Sequence, residues 1–261
     1  MKYQFGSRVR FSETGPDGFL TIPALFDYFQ DGCTFQAEQM GMGVLELKKR
    51  NRIWVTAAWQ VDIARRPRLG EEILVSAIPY KIRGYVGMKN MLMETPEGEW
   101  LAWANSCWGY LNYTTGAPER LTAEDLSGFE PEPKLDMDYA SRRIQDPDNW
   151  EKLPPFTVLR RHLDANGHVN NCQYIHMACD YLPESISGLS GKEAAASPDA
   201  KGCLQDKNGW VCRIRAEYRM QGHMGDIFYP AAAQKDNTFH TAFFDEKGEA
   251  YAVVEFLGKQ R

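Results

Sequence analysis

Several things are scarce in this 261-residue sequence, and each scarcity narrows what the chain can be. No apolar run approaches the roughly 20 residues needed to span a bilayer, so no membrane segment is expected. The N-terminal stretch MKYQFGSRVRF lacks the apolar core of a secretory signal, and the expected location is therefore cytoplasmic. Six cysteines are scattered without a C-x-x-C pair, which argues against both a disulfide framework and a zinc site. Basic charge is also short. With 30 Lys and Arg against 35 Asp and Glu, the chain has no broad positive field for phosphates, and no nucleic-acid partner is expected. There are only five histidines, and one of them sits in the densest polar stretch of the sequence, LDANGHVNN from Leu163 to Asn171.

What is present is a repeat. Arg8–Asp31 lies over Thr157–Asp180 with His168 opposite Phe19 and Asn166-Gly167 opposite Asp17-Gly18. Further on, Gly70 matches Gly225 and Gly98 matches Gly248. Each half reads as a strand, a helix and several further strands. In the first half Ile22, Phe26, Phe29, Cys33, Ala37 and Met40 form one apolar stripe, opened by Thr21 and Pro23 and stopped by Gly41. In the second, His168, Cys172, Ile175, Cys179 and Leu182 give a similar stripe with Pro183 as terminator. β-rich runs follow each helix, separated by turn signals at TPEGE and DEKGE. The expected class is α+β, an antiparallel sheet wrapped around a long helix, made twice. A Pro-rich and acidic stretch joins the halves, and a Gly-, Ala- and Ser-rich loop is expected over 187–209.

The dense polar box lies at the entrance of the second helix. There an amide at Asn170 or Asn171 needs no reason beyond capping, and Asp164 and Gly167 can serve a turn. The first half, however, makes the matching turn with Gly15, Asp17-Gly18 and Phe19. Asp164 and His168 thus read as surplus to the fold. A carboxylate and an imidazole beside a helix N-terminus suit a general base, its partner and an oxyanion site. His162, His176, His223 and His240 read as structural or solvated, and Cys172 and Cys179, on the apolar stripe, as buried thiols.

With LDANGHVNN, CQYIHMACDYLP, ANSCWGYLNYTTGAPERL and AEYRMQGHMGD in order along it, the chain resembles the acyl-acyl carrier protein thioesterases, a tandem hot-dog family. The resemblance implies an N-terminal acyl-binding hot-dog domain over 1–125, a linker over 126–155 and a C-terminal catalytic hot-dog domain over 156–261. It implies hydrolysis of fatty acyl thioesters, with acyl carrier protein as the substrate carrier, a homodimer as an option, and no cofactor or metal. The family's Asp-x-Asn-x-His pattern falls on Asp164, Asn166 and His168. Its usual Glu, often followed by Cys, falls on Gln221-Gly222. That departure leaves no cysteine nucleophile there and a neutral amide for positioning, so base duty rests with His168 or Asp164. The expected acyl site is the Met- and Trp-rich first half, with Met40, Met42, Met88, Met91, Met93, Trp54, Trp59, Phe26 and Phe29 as candidate lining. Basic clusters at Lys48–Arg52, Arg65–Arg68 and Arg160-Arg161 are candidates for steering an acidic carrier. The alternatives are a hot-dog acyl-CoA thioesterase, an enoyl-thioester hydratase and a non-catalytic acyl-binding protein.

Overall fold

Thr21 opens the longest helix: its side chain accepts from the Ala24 N–H, Pro23 takes an early position whose N–H would be unpaired, and Gly41 ends the run at a φ of 68°. The resulting helix, α1 (Ile22–Gln39), buries Phe26, Phe29 and Cys33 as the stripe requires. The computed structural model describes residues 1–127, 129–183 and 211–258. The loop expected over 187–209, with Cys203, lies outside the described residues.

Around α1 the first half places β1 (Tyr3–Arg8), β2 (Arg52–Ile63), β3 (Glu72–Arg83), β4 (Val86–Glu94) and β5 (Trp100–Asn112), with a short second helix, α2 (Val44–Lys49), that the sequence had not announced. The second half contributes β6 (Glu151–Lys152), β7 (Phe156–Thr157), α3 (Asn171–Cys179), β8 (Val211–Tyr218), β9 (Ile227–Lys235), β10 (Thr238–Phe244) and β11 (Ala250–Gly258). All form one antiparallel sheet in the order β1-β3-β4-β5-β2-β8-β11-β10-β9-β6, with β7 also on β9. The architecture is α+β, with a large antiparallel sheet and few helices.

The repeat is visible as a two-fold relation. The matched glycines Gly18 and Gly167, Gly70 and Gly225, and Gly98 and Gly248 all have φ between 77° and 89°, where a side chain would be strained. At the seam, β2 pairs with β8 and sets Gln60 opposite Arg215, two residues separated by the same interval as Gly70 and Gly225. On the helix side Asp27 and His176, 149 positions apart, meet at 3.3 Å. The bonds across the seam and the part-buried ion pair of Arg213 with Asp62 join the halves into one sheet.

The stretch between the halves has little regular structure of its own, yet it is pinned. It runs over the sheet face opposite the helices and satisfies polar groups buried there. Asn90 accepts from the Leu135 N–H and the Tyr139 hydroxyl, and Gln60 accepts from the Ala140 N–H. Ile144 is buried and donates its N–H to Glu217.

The helix of the second half, α3, departs from its expected span. It begins at Asn171, with Asn170 as the cap accepting from the Cys172 N–H at 2.9 Å, and ends at Cys179. His168 therefore precedes the helix by three residues, and its place in the apolar stripe was a coincidence of spacing.

Candidate active site

The polar box folds as a short loop between a one-turn 3-10 helix (Arg160–His162) and α3. Its ends pair at Leu163 and Val169, as Thr14 and Leu20 do in the first half. Between them the Asp164 N–H donates to the His168 carbonyl at 2.8 Å, the Gly167 N–H donates to the Asp164 carbonyl at 3.1 Å, and Gly167 takes a φ of 79°. Asp164 also has a local task. Its Oδ1 accepts from the backbone N–H groups of Asn166 at 2.8 Å and His168 at 3.2 Å. The first half does part of this from a different position, Asp17 accepting from the Phe19 N–H at 3.2 Å. Asp164 is thus not surplus to the fold: it shapes the turn that carries Asn166 and His168.

The His168 ring does not hydrogen-bond Asp164. It stands edge-on to His223, with ring centroids 5.1 Å apart, where the two residues form an isolated bridge. Burial lowers the His168 pKa below its usual 6.5, the Asp164 carboxylate opposes this, and the neighbouring His223 reinforces it. The imidazole is therefore neutral at pH 7 and free to take a proton. His162, His176 and His240 are engaged elsewhere. Nδ1 of His162 accepts from the Leu159 N–H, His176 meets Asp27, and His240 meets Glu255 at 3.1 Å. His223, read from the sequence as structural or solvated, is the histidine that the fold sets beside His168. It lies 55 positions from His168, and only the bridge brings the two rings together.

Asp164, Asn166, His168 and Gln221 all line one cleft of about 340 Å³, together with Thr56 and Tyr174. Gln221 is exposed at its edge and makes no hydrogen bond to Asn166. Gly222 next to it explains the missing cysteine: a Cβ there would come within 2.8 Å of the Tyr174 hydroxyl and of Phe228. The two cysteines of α3 offer no substitute: Cys172 is buried in the core, Cys179 is partly buried against it, and burial raises both thiol pKa values, so neither is a ready thiolate.

A second, narrower cavity of about 110 Å³ lies between α1, α2 and the first-half strands, lined by Met40, Met42, Leu47, Met88 and Trp108. Ile53, Trp54 and Asn166 border both spaces. Met91, Met93, Trp59, Phe26 and Phe29 do not line it. All five are at most 3% exposed and form packed core, because they lie deeper against α1. Of the basic clusters, two are largely neutralised internally. Arg65 pairs with Glu71 and Glu99, Arg66 with Asp17, Arg50 with Glu46, and Arg52 with Glu119. Arg160 and Arg161, exposed beside the polar box, form no ion pair among the described residues.

Residues 1–129 match the model of the acyl-ACP thioesterase N-terminal domain and residues 146–193 that of its C-terminal domain. Oleoyl-acyl carrier protein thioesterase 2 of Arabidopsis thaliana is 24% identical over 217 residues, which covers 76% of this chain and 59% of that one. The chain thus spans under two thirds of that relative's length. Among solved structures, an acyl-ACP thioesterase from Bacteroides thetaiotaomicron superposes with a TM-score of 0.82 at 19% identity, covering 99% of this chain and 98% of the other. The 12:0-ACP thioesterase from Umbellularia californica gives 0.78 at 19% identity, over 100% and 98%. At such identities these likenesses establish a shared fold.

Proposed function

Because the chain belongs to the acyl-ACP thioesterase family, we propose that it hydrolyses fatty acyl-acyl carrier protein thioesters, releasing the free fatty acid. One observation carries this reading: Asp164, Asn166, His168 and Gln221 line a single cleft that adjoins an apolar cavity across Ile53, Trp54 and Asn166. A polar site opening into a hydrocarbon-lined space suits an acyl thioester. On this reading the two halves are tandem hot-dog domains, 1–125 holding the acyl chain and 156–261 the chemistry, joined by 126–155.

Neutral His168 takes a proton from water as the oxygen attacks the thioester carbonyl. The Asn166 amide stabilises the developing oxyanion. Asp164 holds the turn, and its charge stabilises the imidazolium. Collapse of the intermediate breaks the C–S bond, His168 returns the proton to the leaving sulfur, and acid and thiol are released. Gln221, at the edge of the cleft, positions the water or the thioester but cannot act as a base. Arg160 and Arg161, exposed and free of carboxylates, steer the acidic carrier toward the mouth.

The test is free-thiol release from the same acyl chain carried on acyl carrier protein and on coenzyme A. Faster turnover of the carrier-protein substrate is expected. A preference for coenzyme A would favour the acyl-CoA thioesterase reading, and absence of thiol release from both would overturn hydrolysis.

A further inference from the structure

The narrow first-half cavity holds a basic side chain where its surroundings call for hydrocarbon. On β4, Asn90 and Met91 face opposite ways. Asn90 bonds to the crossover stretch, while Met91 touches Cys33 of α1 and Lys89 reaches the same residue. The Lys89 Nζ lies 3.5 Å from the Cys33 carbonyl and 5.8 Å from the centre of the Trp108 ring, and no carboxylate among the described residues comes within 4.0 Å of it. Arg52, the cavity's other cation, is by contrast paired with Glu119.

Structure alone does not require the amine. Counted back from the matching turn glycines Gly98 and Gly248, the second-half counterpart of Lys89 is Phe239, which is buried. The same position in the same plan therefore accepts hydrocarbon. Burial lowers the Lys89 pKa, and a methylene chain laid against the ammonium would strip it of water and return no hydrogen bond. Gln36, also in the cavity wall, adds a second unmet demand. Its Nε2 donates to the carbonyls of Met1 and Ala77, while its buried Oε1 has no partner. A hydroxyl accepts, as an ammonium requires, and donates, as an amide oxygen requires. A plain alkyl chain does neither.

Resting on the acyl-thioester reading above, we propose that Lys89 makes this cavity selective for acyl chains bearing a hydroxyl group over unsubstituted chains of the same length. The probes are non-hydrolysable acyl-pantetheine amides: an unsubstituted tetradecanoyl amide and a series with one hydroxyl moved along the chain, titrated calorimetrically into the full chain. At least one positional isomer should bind about tenfold more tightly than the unsubstituted amide, as a charge-assisted hydrogen bond allows. Lys89→Met should remove or invert that preference, with Lys89→Leu as a second apolar variant should the first not fold. No preferred isomer in the wild-type chain, or a preference that survives the loss of the amine, overturns the proposal. The binding readout separates it from the parent reading, since discrimination without thiol release would remove hydrolysis and leave the selectivity standing.

Discussion

The two halves share a plan and differ in what they leave open. In the first, Arg66 pairs with Asp17 and lies over the Phe19 ring, so the position matching His168 is plugged by an aromatic residue and a guanidinium. In the second, the matching loop presents Asn166 and His168 to a cleft. Behind the helices the relation reverses. Tyr174, Phe228, Phe239, Phe243 and Phe256 fill the second half, while the first keeps a space bounded by Met40, Met88 and Trp108. One plan used twice thus leaves two different spaces, each half closing where the other is open.

The largest expected effect tests where the chemistry lies. His168→Ala should lower kcat by about 10²- to 10⁴-fold in a folded protein, while Phe19→Leu should leave kcat within a few-fold. Equal losses in purified, folded variants would break the comparison.

Next is the cavity. Met88→Trp or Met40→Trp should shift preference toward shorter chains, by about 10- to 200-fold for each methylene excluded. Met91→Ala, in the packed core, should instead cost about 2–5 kcal/mol of stability and leave the chain-length profile unchanged. A profile that moves with Met91 but not with Met88 would relocate the acyl site.

Gly222→Cys sharpens the contrast within the second half. The added atoms meet Tyr174 and Phe228, so a loss of about 1–3 kcal/mol is expected, with no covalent acyl adduct in mass spectra taken during turnover. An acyl-cysteine would show that the wall can move aside and that a nucleophile can act there.

The smallest effect is on pH. If neutral His168 is required, its lowered pKa keeps the base competent as pH falls, placing the acid limb of kcat/KM below 6.5. His223→Ala removes a neighbouring imidazole and some burial, both of which depress the His168 pKa, so the limb should move upward. A limb that does not move would remove His223 from the site's electrostatics.

How much of this was legible depended on how many residues share each signal. The first helix was readable because its stripe, cap and stop agree over 18 residues. The second was overextended because His168 lies four positions before Cys172, and the better marker was the cap at Asn170. The polar box was found because the repeat supplied an internal reference, yet the same reference mistook Asp164 for a spare group, since the turn carboxylate sits two positions later in the first half. Which methionines face the cavity was not readable. β4 is flanked on both faces, so alternation of polarity does not distinguish Lys89 and Met91, toward α1, from Asn90, toward the crossover.

The seam between β2 and β8 has a consequence for dilution. The cleft takes Thr56 from one side of that seam and His168 from the other, so the walls must be held together for the cleft to exist. In a pair of separate chains, assembly of such a cleft would follow mass action and fail at low concentration. Here both walls belong to one chain, and the partner's effective concentration is fixed by the tether. The fraction of chains with an assembled cleft is therefore the same at nanomolar as at micromolar protein.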